Sequence, residues 1–396
     1  MSPRRSVLAA AITVLGLLSV PTLAPAAWAA AKGHSRPGTH AKPKAKPKAK
    51  AKAKPKAKPK AKAKPKAKPK AKAKAVGRIA YATGGVSGDN AIWIANADGT
   101  HRRRVGSGVA PLLSPNGQFV AASWLGATGH ALAIYPVSGG PPRVYFDVTL
   151  LSATAASWSP DSRYLAVELY SVVSDGDPLA GLATVDLRTG AVNMVDYGEI
   201  AGASFAPRPP DRIAYARAWI GNPAGPVDIY TAAPNGTGRK RISYDAVNLN
   251  PVWGRDWIAY DHQTLRPNDA PVYQIWLMRP DGTHKTQITQ MVVPTLLDGL
   301  MPIAWSANGR HLLTSYQGQD TSQTWALVPS THALRQLTIG GQALDAAGIS
   351  SDGSTVLVDQ GALQDVPSHG KVETLPFGGG HAKVLISHGA DPNWTR

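Results

Sequence analysis

Trp158-Ser159-Pro160-Asp161, running into the apolar stretch Tyr164-Leu165-Ala166-Val167, decides the reading of this 396-residue chain. It joins a bulky apolar residue and a small one to a turn, and the turn to a strand. Placed in register, the same slot is filled by Leu113, Trp158, Phe205, Trp253, Trp305, Ile349 and Trp394, at successive spacings of 45, 47, 48, 52, 44 and 45 residues. A period in the forties built only from short strands marks a β-propeller, in which each four-stranded blade can bury its faces only against its neighbours. The expectation is an all-β, seven-bladed β-propeller of four-stranded antiparallel blades, with six or eight blades as the alternatives.

With strands labelled a to d from the axis outward, the seven slot residues end the a strands. The b strands follow at Arg78-Thr83, Phe119-Trp124, Tyr164-Tyr170, Arg212-Ala218, Trp257-Gln263, His311-Tyr316 and Thr355-Gln360, rich in the β-branched, small and aromatic residues of a sheet packed on both faces. The c strands include Ala91-Asn96, Asp228-Ala232 and Gln274-Met278, and short d strands such as Lys240-Ser243 and Lys383-Ser387 come after them. Asp98-Gly99, Gly139-Gly140, Asn235-Gly236, Asp281-Gly282 and Gly378-Gly379 read as two-residue c-to-d hairpins, with glycine supplying positive φ. Asn116, Asp161, Asn308 and Asp352 read as turn formers between strands a and b, because they recur in register with Gly and Asn. The first unit begins at strand b, whereas the chain ends in Asp391-Pro392-Asn393-Trp394, a lone strand a. The C-terminal strand should therefore complete the first blade and leave no open sheet edge.

Ile92-Trp93-Ile94-Ala95-Asn96-Ala97-Asp98-Gly99-Thr100, Ile275-Trp276-Leu277-Met278-Arg279-Pro280-Asp281-Gly282-Thr283 and Trp158-Ser159-Pro160-Asp161 resemble the TolB-like, WD-repeat-like β-propeller family. There, a strand, a D-G turn, a short strand and a W-S-P-D-G segment repeat. The resemblance covers Arg78 to Trp394 and implies a bacterial, exported interaction module.

Ahead of the repeats, Arg4 and Arg5 precede the apolar run Val7 to Val20, and a small-residue segment ends in Ala27-Trp28-Ala29. This is the layout of a cleaved secretory signal over residues 1–29; the run is too short for a comfortable membrane span of about 20 residues. An uncleaved anchor is the alternative. The segment 30–75 is a basic tail, and residues 76–396 form the propeller. From Ala41 to Ala75 a lysine occupies every even position, namely Lys42, Lys44, Lys46, Lys48, Lys50, Lys52, Lys54, Lys56, Lys58, Lys60, Lys62, Lys64, Lys66, Lys68, Lys70, Lys72 and Lys74, with only Ala or Pro between. Such a self-repelling segment with nothing larger than alanine to bury should be extended and disordered.

The net charge is +18, yet Val76 to Arg396 carries 22 basic against 25 acidic residues. A basic arm on a nearly neutral body points to a polyanion bound through counterion release. Behind a signal peptide, anionic envelope polymers or lipid head groups are the expected partners. DNA, the partner of the similar lysine-alanine-proline tails of linker histones, ranks below them. A solubilising spacer is the remaining reading of the tail.

There is no cysteine, so disulfides, thiolate metal sites and a cysteine nucleophile are excluded. No G-x-S-x-G elbow, H-E-x-x-H pair, P-loop or helix-opening G-x-G-x-x-G occurs, and the 11 histidines are dispersed. His101, His284, His332 and His381 fall at or beside c-to-d turns and read as surface residues; Ser174-Asp175-Gly176-Asp177 reads as a polar turn rather than a calcium loop. A monomeric protein without enzymatic activity, cofactor or metal is the expectation.

One face is singled out by loop length. The long connections Ser171-Gly181, Ala218-Val227, His262-Tyr273 and Gln290-Met301 all lie on the b-to-c and d-to-a side. Trp124, Tyr170, Trp219, His262 and Tyr316 are delivered toward it, with Arg217 and Arg266 adding charge. Aromatic rings around a shallow funnel suit a protein, peptide or glycan, although packing between blades is an equal reading of each residue. The alternative function is a propeller lyase, lactonase or glycosidase with its site in the axial channel, for which carboxylates and histidines at the channel mouth would speak. A wall spacer without ligand is a third possibility.

Overall fold

The computed structural model describes residues 77–84, 90–125, 130–148, 151–171, 180–218, 227–245, 247–265, 271–293, 297–318, 322–341, 344–360 and 370–395. By contact the chain divides into Met1–Lys74 and Ala75–Arg396. The lysine tail and the signal segment lie outside the described residues, as do Trp219 and Arg266 and the Ser174-Asp177 turn.

Among the described residues every regular element is a strand, and the strands come in sets of four. The first three are β1 (Arg78–Thr83), β2 (Ala91–Asn96) and β3 (Arg103–Ser107). The second set is β4 (Val109–Leu113), β5 (Phe119–Leu125), β6 (His130–Pro136) and β7 (Arg143–Tyr145), and the third is β8 (Leu151–Trp158), β9 (Tyr164–Ser171), β10 (Gly181–Asp186) and β11 (Val192–Tyr197). Next come β12 (Glu199–Phe205), β13 (Ile213–Ala218), β14 (Val227–Ala232) and β15 (Lys240–Arg241), then β16 (Asn248–Trp253), β17 (Ile258–Leu265), β18 (Pro271–Met278) and β19 (Thr286–Gln287). The last sets are β20 (Leu297–Trp305), β21 (Leu312–Gly318), β22 (Ser322–Val328) and β23 (Ala333–Leu337), and β24 (Asp345–Ile349), β25 (Thr355–Gln360), β26 (Lys371–Pro376) and β27 (Lys383–Ile386).

The closing strand is β28 (Ala390–Trp394), which pairs antiparallel with β1 so that Trp394 faces Ile79 in register. It gives a sheet of order β28-β1-β2-β3, the closure expected from the sequence. Within each set neighbouring strands pair antiparallel, and the strands group into three four-stranded sheets and two eight-stranded ones. Each eight-stranded sheet is two meanders joined by one parallel residue pair, His130 with Ser152 or Tyr273 with Gly299.

The repeated slot explains how the blades hold one another. Leu113, Trp158, Phe205, Trp253, Trp305 and Ile349 are buried, and Trp394 is half-buried. Two of the slot tryptophans bond to the preceding blade: Trp158 Nε1 donates to Leu112 O at 3.1 Å and Trp305 Nε1 to Val252 O at 3.0 Å. The small polar residue just before the slot reaches the other way. Ser157 Oγ accepts from Phe205 N at 3.0 Å, Ser204 Oγ from Trp253 N at 3.0 Å, and Asn393 Oδ1 from Leu113 N at 2.9 Å. Each such bond contributes about 1 kcal/mol and fixes the register between adjacent inner strands.

The turns after the slot are built as expected. Ser159 Oγ donates to Asp161 Oδ1 at 2.6 Å, and that carboxylate accepts from Arg163 N at 3.0 Å. The Ser114–Asn116, Ser306–Asn308 and Ser350–Asp352 pairs repeat this bond. The c-to-d turns differ from the two-residue hairpins expected. Gly99 N donates to Asn96 O at 2.9 Å and Asn96 N to Thr100 O at 2.9 Å, enclosing three loop residues, of which Gly99 alone has positive φ, at 82°. The loops at Gly236 and Gly282 repeat the pattern. Two consecutive left-handed residues would be needed for a two-residue loop, and Asp98, Asn235 and Asp281 are not left-handed. Instead the residue two beyond Gly99 and Gly282 is a histidine in the left-handed region, His101 at φ 53° and His284 at φ 55°. That backbone role was invisible when the histidines were read as surface residues.

Candidate functional site

The b strands carry the residues expected on the long-loop face, and the structure sorts them. Trp124, near the end of β5, is half-buried against the core shared by the first two blades. Tyr170, near the end of β9, is half-buried, and its hydroxyl donates to the Glu168 carboxylate. Arg217 is committed inward: Nε donates to Tyr197 O at 2.8 Å, sits 3.5 Å from the Asp196 carboxylate, and the guanidinium lies over the Tyr230 ring. Asp196 also takes Arg239 and the Tyr215 hydroxyl, which makes Arg217 part of a structural ion network.

His262 and Tyr316 do not stand on a rim. His262 is 9% exposed, with Nδ1 bonded to Asn248 Oδ1 at 2.8 Å and its ring 4.6 Å from that of Trp276. Desolvation by burial lowers its pKa. Tyr316 is 4% exposed and belongs to the core between the fifth and sixth sets, beside Trp325. Strand alternation places these two side chains between blades, where packing wins over contact with a ligand. Trp219 and Arg266 lie outside the described residues.

What loop-length reasoning did not find is a group of carboxylates on the inner strands where the ring closes. Asp345 of β24 and Asp359 of β25 are direct cross-strand partners. Asp359 Oδ2 accepts from the backbone N–H of Asp391 on β28 at 2.9 Å, while its other oxygen is buried without a partner. Burial raises the Asp359 carboxyl to about 8, helped by the like charges of Asp391 and Asp345 and opposed by the Asp391 amide. Asp345, half-buried, is raised too by desolvation, opposed by the Ser322 hydroxyl, and Asp391, exposed on β28, completes the group. Asp391 holds a left-handed φ of 49° in a bulge of the closing pair. Across the ring, Asp261 on β17 is raised to about 7 by burial, with the Asn250 amide donating to one oxygen at 3.1 Å.

A sequence signal existed for this group. The third residue after the partner of the slot residue in each b strand is Ser123, Glu168, Asp261, Ser315 or Asp359 in five of the blades, a polar position amid apolar strands that is buried in all but Ser123. Asp359 and Asp261, raised to about 8 and about 7, can hold and release protons near neutral pH, and a group of carboxylates can attract a cation. Among the described residues no group of three or more His, Asp or Glu side chains is placed to hold a metal ion. No helix among them is long and apolar enough to cross a membrane.

Antiparallel four-stranded meanders locked through their inner strands, with no helix among the described residues, define a β-propeller. Structures similar to it include TolB from Acinetobacter baumannii (14% identity over 81% of this chain and 66% of that one, TM-score 0.48). A puromycin hydrolase is similar at 16% identity over 80% of this chain and 53% of its own (TM-score 0.55), and so is an oligogalacturonate lyase solved with manganese at 14% identity over 80% and 87% (TM-score 0.50). The chain thus spans just under two thirds of TolB and about half of the hydrolase. The likenesses to the hydrolase and the lyase concern the fold, and a fold by itself does not fix a function. No family model matches the chain, and no curated protein matches it.

Proposed function

We propose that this protein is an exported, non-enzymatic β-propeller binding or scaffold module, held at anionic polymers or lipid head groups of the cell envelope by its lysine tail, with the long-loop face taking a protein, peptide or glycan. The observation that carries this reading is the separation of charge: 17 lysines lie between Ala41 and Ala75, while Val76 to Arg396 has an excess of acidic residues. A chain that concentrates its positive charge in a segment without apolar bulk has an arm for polyanions and a body free for another task. Full-length protein and a variant lacking residues 41–75 are compared on anionic vesicles and on immobilised heparin between 50 and 200 mM salt. Full-length protein should bind and lose affinity steeply with salt, by about a thousandfold or more for six to ten phosphate-type contacts. Equal retention of the two proteins refutes the tether.

A second reading is favoured by the Asp345, Asp359 and Asp391 group: an enzyme of lyase, lactonase or glycosidase type working at the axial channel. A carboxyl raised to about 8, with two further carboxyl groups beside it, is suited to general acid and base roles. Turnover of a polysaccharide or lactone by the wild type, abolished in Asp345→Asn and Asp391→Asn with folding intact, would replace the binding reading.

A further inference from the structure

On the turn side of the molecule, opposite the long loops, the first two blades leave a cleft of about 530 Å³. Its walls are the start of β1, the β2–β3 turn, the β4–β5 turn and the β6–β7 turn. Arg78, His101 and Arg103 line it together with Asn96, Gln118 and Phe119, and none of its lining residues is acidic. We propose that this cleft is a binding site for a sugar phosphate or a sugar-phosphate unit of a polymer, a site distinct from both the tail and the long-loop face.

The two guanidiniums are held in place by backbone rather than by carboxylates. Arg78 Nη1 donates to Gly117 O at 2.7 Å, and Arg103 donates to Val137 O. Arg102 and Arg104 alongside are anchored in the same manner, Arg102 on Leu385 O at 2.8 Å and Arg104 on Gly106 O at 3.3 Å and Ser107 Oγ at 3.1 Å. Among the described residues none of these four arginines is in an ion pair, whereas Arg163, Arg217, Arg239 and Arg241 each have an aspartate. The nearby acid on the turn, Asp98, is turned onto Thr100, accepting from its N at 3.0 Å and its Oγ1 at 2.6 Å.

His101 adds a ring nitrogen: its Nδ1 lies 2.9 Å from Asn96 Nδ2 and 3.0 Å from Thr100 Oγ1, which leaves Nε2 for a ligand. A guanidinium with one N–H spent on a carbonyl keeps the rest of its fork, and that fork matches a phosphate better than a point charge does. The apolar floor of Ile94 and Phe119 and the amides of Asn96 and Gln118 fit a ring with hydroxyls, and the volume suits one or two sugar units. An unpaired basic cluster on a body with net negative charge focuses its field locally.

Glucose 1-phosphate, inorganic phosphate and glucose are titrated into the full chain at 0.15 M salt, with calorimetry as the readout. The sugar phosphate should bind saturably at one site, inorganic phosphate at least tenfold more weakly, and glucose without measurable heat. Arg103→Gln should weaken the saturable phase at least tenfold while a cooperative melting transition shows that the fold survives loss of its bond to Val137. Arg78→Gln should do the same to binding even where loss of its bond to Gly117 lowers stability. Affinity retained in Arg103→Gln, or a wild type with no saturable phase, overturns the site. Inorganic phosphate binding as tightly as glucose 1-phosphate overturns its assignment to a sugar.

Discussion

Removing the indole of Trp394 probes the closure of the ring, and its size can be worked from the contacts. Trp394 packs with Ile79, Tyr81 and Leu357 but is half-buried, and its Nε1 is buried without a hydrogen-bond partner, unlike those of Trp158 and Trp305. A fully buried aromatic truncated to alanine costs about 3–5 kcal/mol, so Trp394→Ala should cost about 2–3 kcal/mol. Trp305→Ala, which also abandons a carbonyl, should cost more.

The indole lies on Gly348, where an added Cβ would come within 2.8 Å of Nε1. Gly348→Ala should therefore be destabilising in the wild type and nearly neutral in Trp394→Ala, with a coupling of about 1 kcal/mol or more. Urea unfolding of the four proteins of this cycle, followed by tryptophan-independent circular dichroism, measures it. Additive costs, or a Trp394→Ala protein as stable as wild type, would refute the view that β28 clasps the first blade. Deleting residues 391–396 should cost more than either substitution, because the Asn393–Leu113 bond at 2.9 Å and the Thr395–Arg78 bonds at 3.0 Å go with it.

Gly282→Ala should lower stability by about 1–3 kcal/mol and leave binding on the long-loop side untouched, since φ is 91° and a Cβ would come within 2.5 Å of Ile242 O on the preceding blade; a melting curve and a pull-down on the same variant check both halves. Asp359 has a folded-state pKa raised to about 8, so its contribution is fully present below the unfolded carboxyl value near 4 and is lost as pH rises through about 8. Asp359→Asn, which mimics the protonated acid, should accordingly gain stability relative to wild type between pH 7 and 9 and show little difference at pH 4, as read from melting temperature against pH. The opposite holds for Asp186, lowered to about 2 chiefly by its hydrogen bond to Arg163: its contribution is present above the unfolded value and falls away as pH drops toward 2, so Asp186→Asn should cost stability at pH 7 and nothing at pH 2.

The sequence alone determined the repeat, the strand order and the closure, because the slot from Leu113 to Trp394 obeys the one constraint every blade shares: its inner strand must lock onto the blade before and the blade after. A local rule repeated seven times is legible in one dimension, and so are turn residues such as Asp161 and Asn308, whose bonds span two residues. The lysine tail was equally plain, since composition is itself the argument there.

Tertiary structure decided what depends on which blade faces which. Whether His262 and Tyr316 point to a ligand or into a seam follows from neighbours on adjacent strands and blades, Asn248 and Trp276 for the first and, for the second, the core shared with Ile275 and Leu277 of the preceding blade. Asp345, Asp359 and Asp391 form a group only because the ring closes, and Arg78, His101 and Arg103 of the first blade meet Gln118, Phe119 and Val137 of the second only because the two blades pack side by side. Periodicity reports which face of a strand is buried, whereas charge and chemistry collect where separate repeats meet, and a strand's own residues carry no record of that meeting.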